Sequence, residues 1–312
     1  MANRGNQSPL CGVPQHVADV LEGALEGASG GVFPGTVPTL GGDDLAGVDP
    51  ALLRMPLERI LLGALPDLAL VFLHATGVLG AVLPEVTAMI DFKDEHARHK
   101  DLWTHTVKVV AQVEPRAVLR WAALVHDVGK VKTRSVDGKG KVHFFGHEVA
   151  GARMWKRIAV RMAFPGDQSA RIRFLVRNHL RAGQYEHDWT DSAVRRFGLG
   201  MGETLDDLLA LSRADITTRF ESKKTRNLRL LDELDDRVRA IRDRDSIPPA
   251  LPKGLGNALM ARFGLKEGPG LGRVMGRLKD LVERGGLPRN ASHGEYIRHL
   301  EDHPGDLGGC DS

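Results

Sequence analysis

The sequence predicts an all-α fold: a helical bundle with one short hairpin and a C-terminal helical tail. Three observations carry this. Aromatic residues make up only 5% of the chain, so burial rests on Leu, Val and Ala, which favours helices over a β-sandwich. From Pro50 onward apolar residues recur at helical spacing. Only the stretch 135–141 places an Asp-Gly pair, Asp137-Gly138, between short extended runs, the signature of a hairpin.

Taken in order, residues 1–49 are rich in Gly and Pro, with Gly30-Gly31 and Gly41-Gly42. A short helix around 16–25 aside, they read as a flexible segment that buries too little apolar surface to offset its ordering entropy. Leu52, Leu53, Leu57, Ile60 and Leu61 then share a helical face, and a second helix over 65–76 stops at Gly77. Further helices are predicted at 99–113, 115–126, 147–164, 167–179, 191–197 and 204–213, and a longer one from about 218 to 243. Pro248, Pro249 and Pro252 break the chain before a helical pair at 256–263 and 270–284. Residues 304–312 read as a disordered tail. The organisation expected is thus 1–49, 50–93, 94–245, 246–303 and 304–312.

Composition bounds the function only loosely. The hydrophobic share is 42%, the charged share 27% and the net charge +3, which permits acidic partners such as RNA without requiring them. Cys11 and Cys310 lie in the terminal segments, so neither a structural disulfide nor a Cys-based zinc site is expected, and the cytoplasm is the default compartment. No apolar stretch reaches the roughly 20 residues of a membrane span, and the N-terminus lacks a signal-peptide pattern.

The chemistry concentrates in LVHDVGK at 124–130. An apolar helix ends in His126 and Asp127, a mixed nitrogen and oxygen donor pair for a divalent metal. Gly129 lets the backbone turn, and Lys130 places a cation where a phosphate would sit. The plainer alternative is a core histidine followed by a helix-end aspartate. Its neighbours weigh against that: His105 upstream, then His147 in FFGHE, His179 in VRNHL and Asp215 in SRADITTR, each at or near the end of an apolar-patterned helix. A carboxylate at the edge of a buried face, like Asp215, needs a partner, and a cation would serve.

The order His, His-Asp, His, His, Asp resembles the HD superfamily of metal-dependent phosphohydrolases. The resemblance implies that His105, His126, Asp127 and Asp215 bind one metal. It also implies that His147 and His179 hold a second, bridged through Asp127, with Asp127 and Lys130 as the catalytic pair. The alternative for His147 and His179 is a structural or substrate-facing role, and for Lys130 an exposed helix-end lysine. The divalent metal, one or two ions, would be Mn, Ni, Fe, Zn or Mg, with the four histidines biasing the site toward the first four because imidazole suits those ions better.

Further strings narrow the likeness: DEHARHKDLWTHT at 94–106, HFFGHEVAGARM at 143–154, WTDSAVRRF at 189–197 and LSRADITTR at 211–219. These resemble the HD-containing half of bacterial CCA-adding enzymes, the tRNA nucleotidyltransferase and poly(A) polymerase family. Residues 57–86 are similar to their neck and 254–282 to their tail. That family carries a nucleotidyltransferase head with an Asp-x-Asp pair before the neck, whereas residues 1–49 hold only the adjacent Asp43-Asp44. Nucleotide addition by this chain alone is therefore not expected. Active HD sites of the family hydrolyse 2′,3′-cyclic phosphates and phosphomonoesters, which makes a nucleotide or RNA end, possibly of tRNA, the implied substrate.

Two other readings remain open: a tRNA-binding subunit of a split CCA-adding system whose head is a separate chain, and an HD-type oxygenase that shares the ligands. For nucleic-acid contact the candidates are Arg195, Arg196, Lys223, Lys224 and Arg226, with Arg229 nearby. The alternative is a solvated helix whose charge is offset by Asp232, Glu233, Asp235 and Asp236. His293, His299 and His303 are expected to be surface histidines. The Gly-rich 264–273 reads as a helix-helix turn, since it lacks a phosphate-loop ending.

Overall fold

The computed structural model describes residues 10, 12–35, 39–41, 43–45, 47–90, 92 and 101–307. It divides into two compact units, Met1–Val238 and Arg239–Ser312. The first runs α1 (Gln15–Ala28), α2 (Pro50–Leu61), α3 (Pro66–Ala75), α4 (Val78–Val82), α5 (Pro84–Thr87), α6 (Leu102–Gln112), α7 (Ala117–Val125) and α8 (Lys130–Thr133). A hairpin of β1 (Ser135–Val136) and β2 (Val142–His143) follows, then α9 (His147–Arg161), α10 (Gly166–Asn178), α11 (Asp191–Met201), α12 (Leu205–Asp215) and α13 (Glu221–Ser246), whose residues from Arg239 on fall in the second unit. The second unit contains α14 (Leu255–Phe263), α15 (Pro269–Glu283) and α16 (His293–Asp302). The fold is all-α, as the periodicity predicts.

Caps explain several starts. Asp49 accepts the Ala51 N–H ahead of Pro50, a residue suited to the first helical position. Asp101 accepts the Trp103 N–H to open α6, and Thr190 caps α11 through Ala193. The centre of the first unit is α7, in which every residue from Leu119 to Val125 is buried. It packs on α2, α6, α10 and α12. Trp121 of α7 and Trp155 of α9 meet at a tilt, and Phe164, just after α9, packs edge-to-face on both, tying together the helices whose ends carry His126 and His147.

Three expectations need correction. Residues 1–49 are not a flexible segment throughout: the short helix expected around 16–25 forms as α1, and it buries Val17, Val20, Leu21 and Ala24 against α2 and α3. These lie at i, i+3, i+4 and i+7, one face of the helix. Gly27 belongs to that packing, since an added Cβ would meet the Phe33 ring at 2.2 Å. Within 304–312, Pro304–Leu307 forms a 3-10 turn tied back by Asp306 to His299 at 2.9 Å; residues 308–312 lie outside the described residues. The stretch 293–302 is a helix that the sequence reading did not assign. Ser292 and Glu295 cap it reciprocally, and it buries Tyr296 and Leu300 in a core with Leu255, Leu259, Val274 and Leu278.

The hairpin pairs Ser135 with His143 and Val136 with Val142. Its turn is held by Asp137, which accepts the Lys139 and Lys141 N–H groups, and the left-handed residue is Gly140 rather than Gly138. Cys11, Cys310 and the motif residues 94–100 lie outside the described residues. Among the described residues no helix is long and apolar enough to cross a membrane.

Candidate metal centre

Four helix ends bring the candidate ligands together. His105 lies on the second turn of α6, His126 and Asp127 directly after α7, His147 at the start of α9, His179 directly after α10, and Asp215 at the end of α12. His126, Asp127, His147 and His179 are buried, and His105 and Asp215 are half-buried.

The ring orientations are set by backbone carbonyls. His126 donates from Nδ1 to the Ala123 carbonyl, His147 to Phe144 and His179 to Val176, each at 2.8 Å. His105 Nδ1 sits 2.8 Å from the Thr217 hydroxyl. With Nδ1 engaged, each ring turns Nε2 to the centre, the tautomer and pose of a metal ligand.

Asp127 divides these nitrogens into two groups. Its Oδ2 faces His126 Nε2 at 3.3 Å and His105 Nε2 at 3.6 Å. Asp215 Oδ1 closes this side, 2.9 Å from His105 and 3.6 Å from His126. Asp127 Oδ1 faces His147 Nε2 at 3.4 Å and His179 Nε2 at 3.8 Å. Two donor triads that can hold a metal ion result, His105–His126–Asp127 and Asp127–His147–His179.

The donors fit divalent metal better than they fit one another. Donors about 2.1 Å from a shared cation stand about 3.0–3.4 Å apart, and most of the separations above fall near that range. His126 Nε2 and Asp127 Oδ1 are buried without a hydrogen-bond partner, a cost that a bound cation removes.

Electrostatics agree. Burial works against charge on His126, yet Asp127 and Asp215 beside it outweigh that and raise its pKa to about 10. Burial likewise opposes ionisation of Asp127, but His126, His147 and Lys130 hold it well below the carboxylate range. Asp215 is lowered against its own burial by His105 and His126. Burial, followed by the charge of His126, pushes His179 down to about 4. The centre therefore holds two carboxylates that attract a cation, and part of its imidazole set stays neutral.

Lys130 Nζ donates to Asp127 Oδ2 at 2.6 Å and lies 5.8 Å above the Phe144 ring. It faces the centre rather than open solvent. Gly129 is not left-handed: its φ is −65°. Its role is close approach, because an added Cβ would meet the His147 carbonyl oxygen at 2.0 Å and the Gly151 nitrogen at 2.6 Å.

Beside the centre opens a cleft of about 790 Å³ whose wall includes His179 and Asp215. A 3-10 turn at Ala182–Gln184 and the loop after it form one side, and the first turns of α13 the other. Of the predicted nucleic-acid residues, Lys223 and Arg226 line this cleft, whereas Lys224, Arg195 and Arg196 do not. Arg195 and Arg196 stand on α11, half-buried and exposed respectively.

Sequence reasoning missed the groups that orient the ligands. Thr217, two residues beyond Asp215, was within reach of a sequence reading as a hydroxyl beside a ligand. The Ala123, Phe144 and Val176 carbonyls carry no residue-type signal. Tyr185, another wall residue, was also missed. It donates to Glu233 at 2.5 Å and accepts from Arg237 at 3.0 Å, fastening the loop after the 3-10 turn to α13.

Comparison with known proteins places this geometry in a family context. Residues 97–220 match the HD domain family. The chain is 33% identical over 236 residues to the CC-adding tRNA nucleotidyltransferase of Thermus thermophilus, covering 73% of this chain and 50% of that protein. It is 31% identical over 268 residues to the A-adding tRNA nucleotidyltransferase of Deinococcus radiodurans, covering 82% and 60%. A multifunctional CCA protein of Pseudomonas paraeruginosa is 29% identical over 148 residues, 46% of this chain and 35% of that protein. The chain carries an HD domain, the mark of a metal-dependent phosphohydrolase family, and is homologous to CCA-adding enzymes across that domain and its flanks. It spans about half the length of the curated relatives it matches.

Proposed function

We propose that the chain is a metal-dependent phosphohydrolase acting on a phosphoester at a nucleotide or RNA end, such as a 2′,3′-cyclic phosphate or a phosphomonoester. The observation that carries this reading is the division of Asp127, one oxygen toward His105 and His126 and the other toward His147 and His179. These donors and Asp215 would hold a divalent cation, Mn, Ni, Fe, Zn or Mg, which would supply Lewis acidity toward phosphoryl oxygens and water.

The chain's own groups have separable roles. Asp127 spans both donor groups and sets their spacing. Ala123, Phe144 and Val176 hold three rings rigid through their carbonyls, so that little reorganisation accompanies reaction. Lys130, already beside Asp127, offers its ammonium to a phosphate oxygen of the substrate. Burial of His126, Asp127, His147 and His179 keeps bulk water from screening these charges.

A second reading has support from the tRNA nucleotidyltransferase relatives: a tRNA-binding subunit working beside a separate nucleotidyltransferase chain. The experiment separating the two treats the chelator-stripped protein with each divalent metal and assays a 2′,3′-cyclic nucleotide and bis-p-nitrophenyl phosphate. The hydrolase reading expects metal-restored turnover of at least one. Tight tRNA binding with no turnover under any metal would favour the binding subunit.

A further inference from the structure

The cleft beside the metal centre has a polarity that the centre alone does not explain. Lys223, Arg226, Asn227 and Leu230 all line it. Their spacing, i, i+3, i+4 and i+7, puts them on one face of α13. Two cations thus line a cavity whose lining also includes His179 and Asp215 of the centre. Lys224 and Arg229, on other faces of the same helix, do not line it.

The two cations are differently committed. Arg226 reaches Glu186 on the opposite wall at 3.7 Å, with both side chains more than half exposed. So loose a pair contributes little and yields readily to a better anion. Lys223 pairs with no acid among the described residues. The lining of the cleft also includes a neutral stretch, the Asn227 amide and apolar Leu230 and Leu231. A nucleoside has this composition, an apolar plane with hydrogen-bonding edges.

Resting on the phosphohydrolase reading, we propose that Lys223 and Arg226 bind a second phosphate of the substrate, one the reaction does not cleave. The substrate class is then a nucleotide whose 2′- or 3′-phosphoryl group sits at the metal centre while its 5′-phosphate sits on α13. A free nucleoside 3′,5′-bisphosphate and the 3′-phosphorylated end of an RNA strand share this chemistry, because the last nucleotide of the strand also carries a phosphate on its 5′ side.

Equilibrium binding tests the proposal independently of turnover. Three probes compete for the metal-loaded protein: adenosine 3′-monophosphate, adenosine 3′,5′-bisphosphate and a short oligonucleotide with a 3′-phosphate. The two probes with a 5′-side phosphate should bind at least tenfold more tightly than the monophosphate. The double variant Lys223→Gln, Arg226→Gln should bring that ratio close to one. The double variant Lys224→Gln, Arg229→Gln removes the same charge from other faces of the helix and should keep the ratio.

Loss confined to the bisphosphate would assign the site to free nucleotides, and loss confined to the oligonucleotide to RNA ends. Equal binding of all three probes to the wild type, or a ratio that survives the double variant, overturns the proposal. If these ratios hold while the hydrolase assay fails under every metal, the phosphohydrolase reading falls and the two-phosphate site stands.

Discussion

His147 Nε2 lies 3.2 Å from His179 Nε2, while both rings donate Nδ1–H to a carbonyl three residues earlier. With Nδ1 so engaged, the two Nε2 atoms face each other, an arrangement that a shared cation stabilises. His147→Ala and His179→Ala should each lower bound metal by about one ion per chain while His105, His126 and Asp215 retain theirs. Elemental analysis after desalting reads the result. Unchanged stoichiometry in both variants would give these histidines a structural role.

Metal removal should cost stability. The centre concentrates Asp127 and Asp215 among buried rings, and a ligand present at about 100 times its Kd contributes about 2.7 kcal/mol. For a domain of this size that corresponds to a fall in Tm of about 5–10 °C on chelation. Calorimetry with and without chelator measures it, and re-addition of Mn or Zn should restore the transition. A Tm insensitive to chelation argues against a loaded centre.

Gly129→Ala should disturb the centre without touching a ligand. The added methyl meets the His147 carbonyl and the Gly151 nitrogen, both backbone, so α9 must move outward. Overpacking of this kind costs about 1–3 kcal/mol. Lower Tm together with weaker binding of the metal at His147 and His179 is the expected pair of effects. A stable variant with full metal content would show that the close approach is dispensable.

Much of this arrangement is legible in the chain. The helical spacing of Leu and Val marks most of the bundle, and the HD pair at 126–127 with its outlying histidines points to the ligands that the fold gathers. What was not legible has physical causes. A short helix is expected where α1 forms, but the packing of Val17, Val20, Leu21 and Ala24 on α2 and α3 is set by tertiary contacts rather than by helical phase. The reason for Gly129 lies in a contact with α9 that no local pattern encodes. Lys223 and Lys224 are indistinguishable as sequence, and only the rotation of α13 sends one into the cleft.

Lys130→Gln should separate catalysis from metal binding. Its ammonium touches Asp127 yet supplies no lone pair to a metal while protonated. Loss of one electrostatic stabiliser costs on the order of 10²-fold in rate, so kcat/KM should fall by about that factor with metal content retained. A variant within a few-fold of wild type would return Lys130 to a structural pairing role.

The account rests most heavily on Asp127, and the direct measurement is the Asp127→Ala variant, assayed together for metal content and for hydrolysis of a 2′,3′-cyclic nucleotide. Both donor groups lose their shared oxygen ligand, so the variant should bind less metal and lose more than about 10³-fold in rate. Circular dichroism should still report the helical fold. Activity within about tenfold of wild type at unchanged metal content would place the chemistry elsewhere and contradict the account.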